Sequence, residues 1–383
     1  MGVRFALSAR QNSNRDMAQN LLDSRDLADN GREAAMIRLP VAPRAAFHPI
    51  PILLRGGRFV GLLLAGLLVV LAGFARPAAA GPLEAVVGVR AVIPADARTA
   101  PVLGTARAGS GVVIDDAGLV LTIGYLILEA IEVDILLPGA RVVPAEVVAY
   151  DYETGFGLLR ALVPLEIEPI ALGGSAALSE DAEVLVAGFA GFDRPGAVAG
   201  AHVVSRRDFA GYWEYLLPEA IFTAPPHPAF GGAALLGPDG KLLGIGSLAV
   251  GDAAAPQRFS PGNMFVPIDA LKPILDDMIA HGRSRRPPRP WLGLYSEDVG
   301  GRVFVNRVAS YGPAAKAGVT ANSVIVAVKD APVRDLADFY RKLWALGPAG
   351  VEVPLTLMTP EGVRETTVRS ADRYDFLKIK SSY

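Results

Sequence analysis

Residues 109–122 run Gly-Ser-Gly-Val-Val-Ile-Asp-Asp-Ala-Gly-Leu-Val-Leu-Thr, two apolar segments around an Asp-Ala-Gly turn. β-Branched residues suit a pleated strand, and a Gly in the turn supplies positive φ, so this stretch predicts a hairpin. Short apolar runs recur at 86–93, 133–137 and 142–149, and the turn at 150–155 leads into another at Phe156. Strands this short, at this spacing, in a chain with 41 Gly and 30 Pro among 383 residues, predict an all-β barrel or sandwich. Hydrophobic residues make up 51% and charged residues 20%, enough apolar surface for folded domains. The absence of Cys excludes disulfides, thiol nucleophiles and Cys-ligated metal.

The N-terminal part is different. Residues 1–54 show no sustained period and read as disordered or as an overlong start, with Met36 a second possible start. At 55–80, Arg55 and Arg58 precede an apolar run from Phe59 to Phe74, and Ala78-Ala79-Ala80 precede Gly81. A basic flank, an apolar core and small residues at a cut site predict a signal peptide, and so a periplasmic or exported protein. The alternative is a retained signal anchor, with residues 59–75 in the inner membrane, and only then a membrane partner. Of 37 basic and 39 acidic residues, ten and five fall in 1–80, so 81–383 hold 27 against 34, a net of −7. That balance predicts no nucleic-acid partner.

Further along stands His227-Pro228-Ala229-Phe230-Gly231-Gly232, then an apolar run, a Pro-Asp-Gly turn at 238–240 and a strand ending Gly244-Ile245-Gly246. Together with Gly-Ser-Gly-Val-Val-Ile-Asp and Gly-Leu-Val-Leu-Thr, this resembles the trypsin-like barrels of the HtrA/Deg family of serine proteases. Leu172-Gly173-Gly174-Ser175 and Phe265-Val266-Pro267-Ile268 add to the likeness. The resemblance implies a chymotrypsin-like double β-barrel over 84–281, with strands at Val184–Gly188 and His202–Ser205. A helix is expected from Ala270 to Ala280, with Leu271, Ile274, Leu275 and Met278 on one face, Pro273 in its first turn and Gly282 ending it.

The same resemblance locates a catalytic triad, and all three of its positions are substituted. Tyr125 stands at the general-base His, Gly155 at the orienting Asp, and Phe230 at the nucleophilic Ser. Acyl transfer needs a hydroxyl, an imidazole to take its proton and a carboxylate to hold that imidazole. A tyrosine with a pKa near ~10 is no base for serine at neutral pH, glycine carries no carboxylate, and phenylalanine carries no nucleophile. Pro228 also lacks an N–H where the family's oxyanion hole uses one. Two aromatic rings, Tyr125 and Phe230, are expected to face each other and fill the former cleft, or else to contact a peptide there.

No substitute set is visible in the sequence. Beyond Gly81 the histidines are His202, on a predicted strand, His227, read as a loop surface residue, and His281, at a helix end. Ser110, Ser205 and Ser247 have no base that spacing brings to them. No His/Asp/Glu cluster has metal-ligand spacing and no Gly-rich phosphate loop is present, so neither metal nor cofactor is expected.

A basic, Pro-rich linker at 282–290 leads to Trp291-Leu292-Gly293-Leu294, then strands at 303–308 and 324–328 around Gly312-Pro313-Ala314-Ala315-Lys316-Ala317-Gly318-Val319. An amphipathic helix from Asp335 to Leu346 and strands at 351–358 and 364–368 follow. This order resembles a PDZ domain, a small α+β module, over 291–372, with a tail at 373–383. Such domains add a peptide strand and capture its terminal carboxylate on backbone N–H groups. The resemblance gives that role to Leu292, Gly293 and Leu294 beside Trp291. Leu294-Tyr295-Ser296 becomes the pairing strand, with Phe339, Tyr340 and Leu343 the pocket floor.

The resemblance covers about 84–372. It implies an HtrA-like protein without proteolysis that binds peptide C-termini or unfolded envelope proteins, in protein quality control or signalling, with a homotrimer possible. The alternative is an active serine endopeptidase built on non-standard residues. A structural subunit is a third reading, expected if the barrel occludes Trp291 to Leu294.

Overall fold

The computed structural model describes residues 82–191 and 197–379. The expected signal segment and the first 54 residues lie outside that range. Six strands close the first barrel: β1 (Val86–Val92), β2 (Ala106–Val113), β3 (Leu119–Ile123), β4 (Glu132–Leu137), β5 (Arg141–Tyr150) and β6 (Phe156–Ala161), in the order β1-β2-β3-β6-β5-β4. A short helix, α1 (Ala100–Leu103), lies between β1 and β2. The β2–β3 hairpin expected from the Asp-Ala-Gly turn forms, with Val112 opposite Leu121. Asp115 Oδ1 accepts the Leu119 N–H at 2.7 Å, and Gly118 takes φ +77°, which a Cβ would disfavour.

The second barrel closes as β10-β11-β12-β9-β8-β7. Its strands are β7 (Glu183–Gly188), β8 (Ala197–Gly211), β9 (Tyr215–Ala224), β10 (Ala234–Leu236), β11 (Leu242–Val250) and β12 (Gly262–Pro267). Apolar side chains from both barrels share one core; Phe156, Phe222, Leu121 and Leu158 are fully buried in it. Each such side chain contributes roughly 1.5–3 kcal/mol by leaving water. The strand expected at His202–Ser205 is in fact the middle of a 15-residue strand. Paired with β9, it ends in a three-residue turn, Tyr212-Trp213-Glu214.

The expected helix at 270–280 is shorter. α2 spans Leu275–His281, after a separate turn at Ile268–Ala270. Pro273 therefore precedes the helix rather than lying inside it, because proline pushes the residue before it out of helical conformation. Gly282 does end it, at φ +72°.

The C-terminal domain is a sheet of β13 (Leu294–Asp298), β14 (Val303–Val308), β15 (Val324–Val328), β16 (Ala331–Pro332), β17 (Glu352–Thr359) and β18 (Gly362–Arg369). Three helices accompany it: α3 (Pro313–Lys316), α4 (Leu336–Trp344) and α5 (Arg373–Phe376). Asp335 caps α4 by accepting the Asp338 N–H at 2.7 Å. Leu336, Phe339, Tyr340 and Leu343 form its buried face, with Leu292, Leu294, Val305 and Leu355 opposite.

Linker and tail are both strapped down. The Arg289 N–H donates to the Tyr152 hydroxyl at 2.9 Å, and its guanidinium meets Glu153 at 3.0 Å and lies over the Trp344 ring. In the tail, the Tyr374 hydroxyl donates to the Tyr150 carbonyl, and the Lys378 N–H to Glu129 Oε1. Among the described residues no helix is long and apolar enough to cross a membrane.

Candidate functional site

Two places need building from their residues: the cleft between the barrels and the groove of the C-terminal domain. In the cleft, Tyr125 sits in a tight turn directly after β3. The buried Arg107 guanidinium holds that turn, donating to the Tyr125 carbonyl at 2.7 Å and the Leu128 carbonyl at 3.0 Å. The Tyr125 phenol reaches over Gly231 and donates to the Ser247 carbonyl at 2.9 Å. Burial pushes that phenol well above its ordinary value of 10, so it neither ionises nor accepts a proton near neutrality.

Gly155 precedes β6 in a left-handed conformation, φ +86°. A Cβ there would lie 3.4 Å from the Tyr215 hydroxyl, which already donates to the Thr154 carbonyl at 2.7 Å. The turn is closed by Asp151, whose Oδ2 accepts the Thr154 N–H at 2.8 Å and hydroxyl at 2.6 Å. A carboxylate at 155 would thus enter on a strained backbone and against a fixed tyrosine.

The loop carrying Phe230 is held by glycines. Gly231 O accepts the Ser110 N–H and Gly232 N–H donates to Gly246 O, both at 2.8 Å. A Cβ on Gly232 would fall 1.9 Å from the Ser110 carbonyl oxygen, and one on Gly246 would fall 2.0 Å from the Phe230 carbonyl oxygen. Only glycine allows these backbones to approach so closely. The expected pairing of Phe230 with Tyr125 does not form: among the described residues no ring contact joins them. Phe230 is half-exposed, and Tyr125 spends its hydroxyl on Ser247 instead. A cavity of about 150 Å³ remains, lined by Tyr125, Tyr150, Gly155, Trp213 and Tyr215 and not by Phe230, so the two rings do not fill the cleft together.

His227 is a second correction. It is not a surface residue but 5% exposed. Its N–H donates to Asn263 Oδ1 at 2.6 Å, and its Nδ1 accepts the Ala229 N–H at 3.2 Å. Desolvation lowers its pKa, against a hydrogen bond with Ala197 that raises it. The ring braces its own loop, which sequence spacing cannot reveal. His202 and His281 are exposed. Ser110 Oγ accepts the Phe189 N–H and Ser205 Oγ donates to Ala253 O, so both hydroxyls serve the backbone.

In the groove, the Trp291 N–H donates to the Ala371 carbonyl at 3.1 Å and its ring packs on Phe376 at 4.6 Å. The Arg307 guanidinium lies over the Tyr295 ring. Phe339, Tyr340 and Leu343 are fully buried. The N–H groups of Leu292 and Leu294 converge on one carboxylate, that of Glu214: Oε2 accepts from Leu292 at 2.9 Å and Oε1 from Leu294 at 2.6 Å. The Gly293 N–H also contributes a hydrogen bond. The Ser296 N–H donates to the Tyr212 carbonyl at 2.8 Å, and the Tyr340 hydroxyl donates to the Gly211 carbonyl at 2.8 Å. The tip of the β8–β9 hairpin therefore lies in the groove. Sequence reading passed over Glu214; its signal is a lone acid inside an aromatic run, Tyr212-Trp213-Glu214-Tyr215.

A family described as a trypsin-like peptidase domain matches residues 109–245, and a PDZ domain matches residues 290–368. The "Probable periplasmic serine endoprotease DegP-like" of Pseudomonas fulva (strain 12-X) is 26% identical over 271 residues, 67% of this chain and 54% of that protein. Periplasmic serine endoprotease DegP of Salmonella typhimurium is 27% identical over 267 residues, 65% of this chain and 54% of that protein. Among solved structures, the HtrA-type protease AlgW with a decapeptide has a TM-score of 0.47 at 19% identity, over 76% of this chain and 96% of that one. The match spans about half the length of the two DegP relatives. The chain matches a trypsin-like peptidase domain followed by one PDZ domain, and it is similar to periplasmic DegP endoproteases.

Proposed function

We propose that this HtrA-type protein does not hydrolyse peptide bonds and works by holding protein chain ends, in the periplasm or another exported compartment. The observation that carries this reading is the Tyr125 phenol. It stands at the position matched to the family's general base and donates to the Ser247 carbonyl. A serine mechanism needs an acceptor there, and a buried phenol donating to a carbonyl has no role to offer it. Phe230 has no nucleophilic atom, Gly155 has no carboxylate, and Pro228 has no N–H for an oxyanion. Replacing any one of these leaves the others missing, so loss of chemistry does not rest on a single aligned position.

The binding half of the reading rests on the loop Trp291-Leu292-Gly293-Leu294. Gly293 takes φ +82°, and successive N–H groups point to one anion site, which suits a terminal carboxylate. The periplasmic names of the relatives support an exported location. The test is a fluorophosphonate label together with casein digestion, with an active DegP protease alongside. We expect neither labelling nor cleavage by this chain. Cleavage by the native chain that disappears in His227→Ala would overturn the reading and place a new base in the old loop.

A further inference from the structure

The groove that should receive a chain terminus holds a side chain from the same molecule. Glu214 is 5% exposed, and among the described residues no lysine or arginine forms an ion pair with it. Its carboxylate is satisfied by the N–H groups of Leu292, Gly293 and Leu294. A buried carboxylate is costly unless such donors surround it. The hairpin supplies more than the charge. The Tyr212 carbonyl pairs with Ser296 on β13, as one rung of an added strand. Leu216 joins the apolar cluster of Leu292, Phe339 and Leu343. Tyr340, on α4, holds the turn from both sides: its hydroxyl donates to the Gly211 carbonyl and accepts the Glu214 N–H at 3.2 Å. Carboxylate, strand rung and apolar side chain are the three things a PDZ groove reads in a peptide end.

The backbone agrees. Glu214 has φ +57°, the left-handed region that glycine enters freely and other residues enter at a cost of about 1–2 kcal/mol. A three-residue hairpin loop ordinarily puts glycine there. A glutamate in that position gains nothing for the turn, and its side chain is what the groove uses.

We propose that the β8–β9 hairpin is a built-in ligand of the PDZ domain: Glu214 occupies the carboxylate-binding loop, and an outside chain terminus enters only when the hairpin withdraws. This deepens the binding half of the proposed function and rests on the reading of that loop as a carboxylate site. Arg341 on α4 pairs with Asp208 on β8, and the Arg373 guanidinium donates to the Trp213 carbonyl at 3.2 Å, so two further contacts hold the hairpin in place.

The experiment uses the full chain and Glu214→Gly, which removes the carboxylate while easing the left-handed backbone. Glu214→Ala, which removes the carboxyl and keeps a Cβ, is the second variant, and thermal unfolding verifies that each is folded. Amide hydrogen exchange at Leu292 and Leu294 reads the internal contact. Binding of fluorescein-labelled decapeptides ending in Leu, Val, Phe or Ala, as free acids and as amides, reads the groove. We expect exchange at both amides at least tenfold faster in the variants, and free-acid peptides bound at least tenfold more tightly than by the native chain, with amides not bound. Unchanged exchange at Leu292 and Leu294 overturns the proposal, as does peptide binding that is measurable and equally tight in native and variant chains. Faster exchange with no peptide bound by any form upholds the internal ligand and defeats the C-terminal capture reading.

Discussion

The inter-barrel cleft and the PDZ groove differ in how each stands apart from a working site: the cleft keeps a cavity, whereas the groove holds a side chain of the same molecule. In the cleft the loss we propose lies in the residues themselves: Tyr125, Gly155 and Phe230 bring no imidazole, carboxylate or nucleophile, and the Tyr125 hydroxyl is committed to the Ser247 carbonyl. In the groove the N–H groups we propose to recognise a carboxylate are present, and Glu214 accepts from those of Leu292 and Leu294. The first change is written into covalent structure and is not reversed by motion. The second is an equilibrium between a docked and a withdrawn hairpin, so it can respond to conditions and to competing ligands. A catalytic machine fails when one role is removed, whereas a backbone nest keeps its affinity for an anion whatever the side chains around it become.

The largest effect expected from this comparison concerns glycines. Gly232→Ala would drive a Cβ to 1.9 Å from the Ser110 carbonyl oxygen at φ +75°, and should cost about 4 kcal/mol or prevent folding. Gly293→Ala meets only the Ala309 Cβ at 3.1 Å and the Trp291 ring at 3.2 Å, at φ +82°, and should cost about 1–2 kcal/mol. Chemical denaturation of both variants measures the gap. Equal losses would break the contrast between a rigid cleft and an adaptable groove.

Next comes pH. Burial lifts the Glu214 carboxyl from 4.5 to about 7, with the N–H groups of Leu292, Gly293 and Leu294 and the Arg373 charge working the other way. The Tyr340 hydroxyl, itself raised far above 10, stays protonated beside it. The docked hairpin therefore holds a proton more tightly than the withdrawn one. Its docking is strongest below about 4.5, weakens as pH rises through about 7, and is level above that, a span of roughly 3 kcal/mol. Exchange at Leu292 and Leu294, compared with a barrel-core amide at each pH, should show that window. An optimum at high pH would contradict it.

The smallest effect sharpens the cleft itself. Tyr125→Phe removes the donor to the Ser247 carbonyl and leaves ring packing in place, so it should cost about 1 kcal/mol and create no proteolysis. A gain in stability would mean that the phenol is strained rather than anchored.

Much of this molecule is legible along the chain. The β2–β3 hairpin follows from a local turn and the amphipathic helix at 336–344 from local periodicity. His227 misled because burial is not a local property: its loop is covered by Asn263, 36 residues away. Pro273 misled because an apolar stripe continues through a residue that delays the helix. Glu214 was invisible for the plainest reason. Its partners, Leu292 and Leu294, lie 78 and 80 residues further on.

What the sequence determined by itself is strand and turn, which short-range physics decides, and two barrels with a PDZ domain, which the order of its motifs implied by resemblance. Tertiary structure alone decided which groups meet. It set the Tyr125 phenol on Ser247, put His227 inside its loop, and laid Glu214 in the carboxylate loop. Such contacts arise when the chain closes over long separations, and no window of neighbouring residues contains both ends of them.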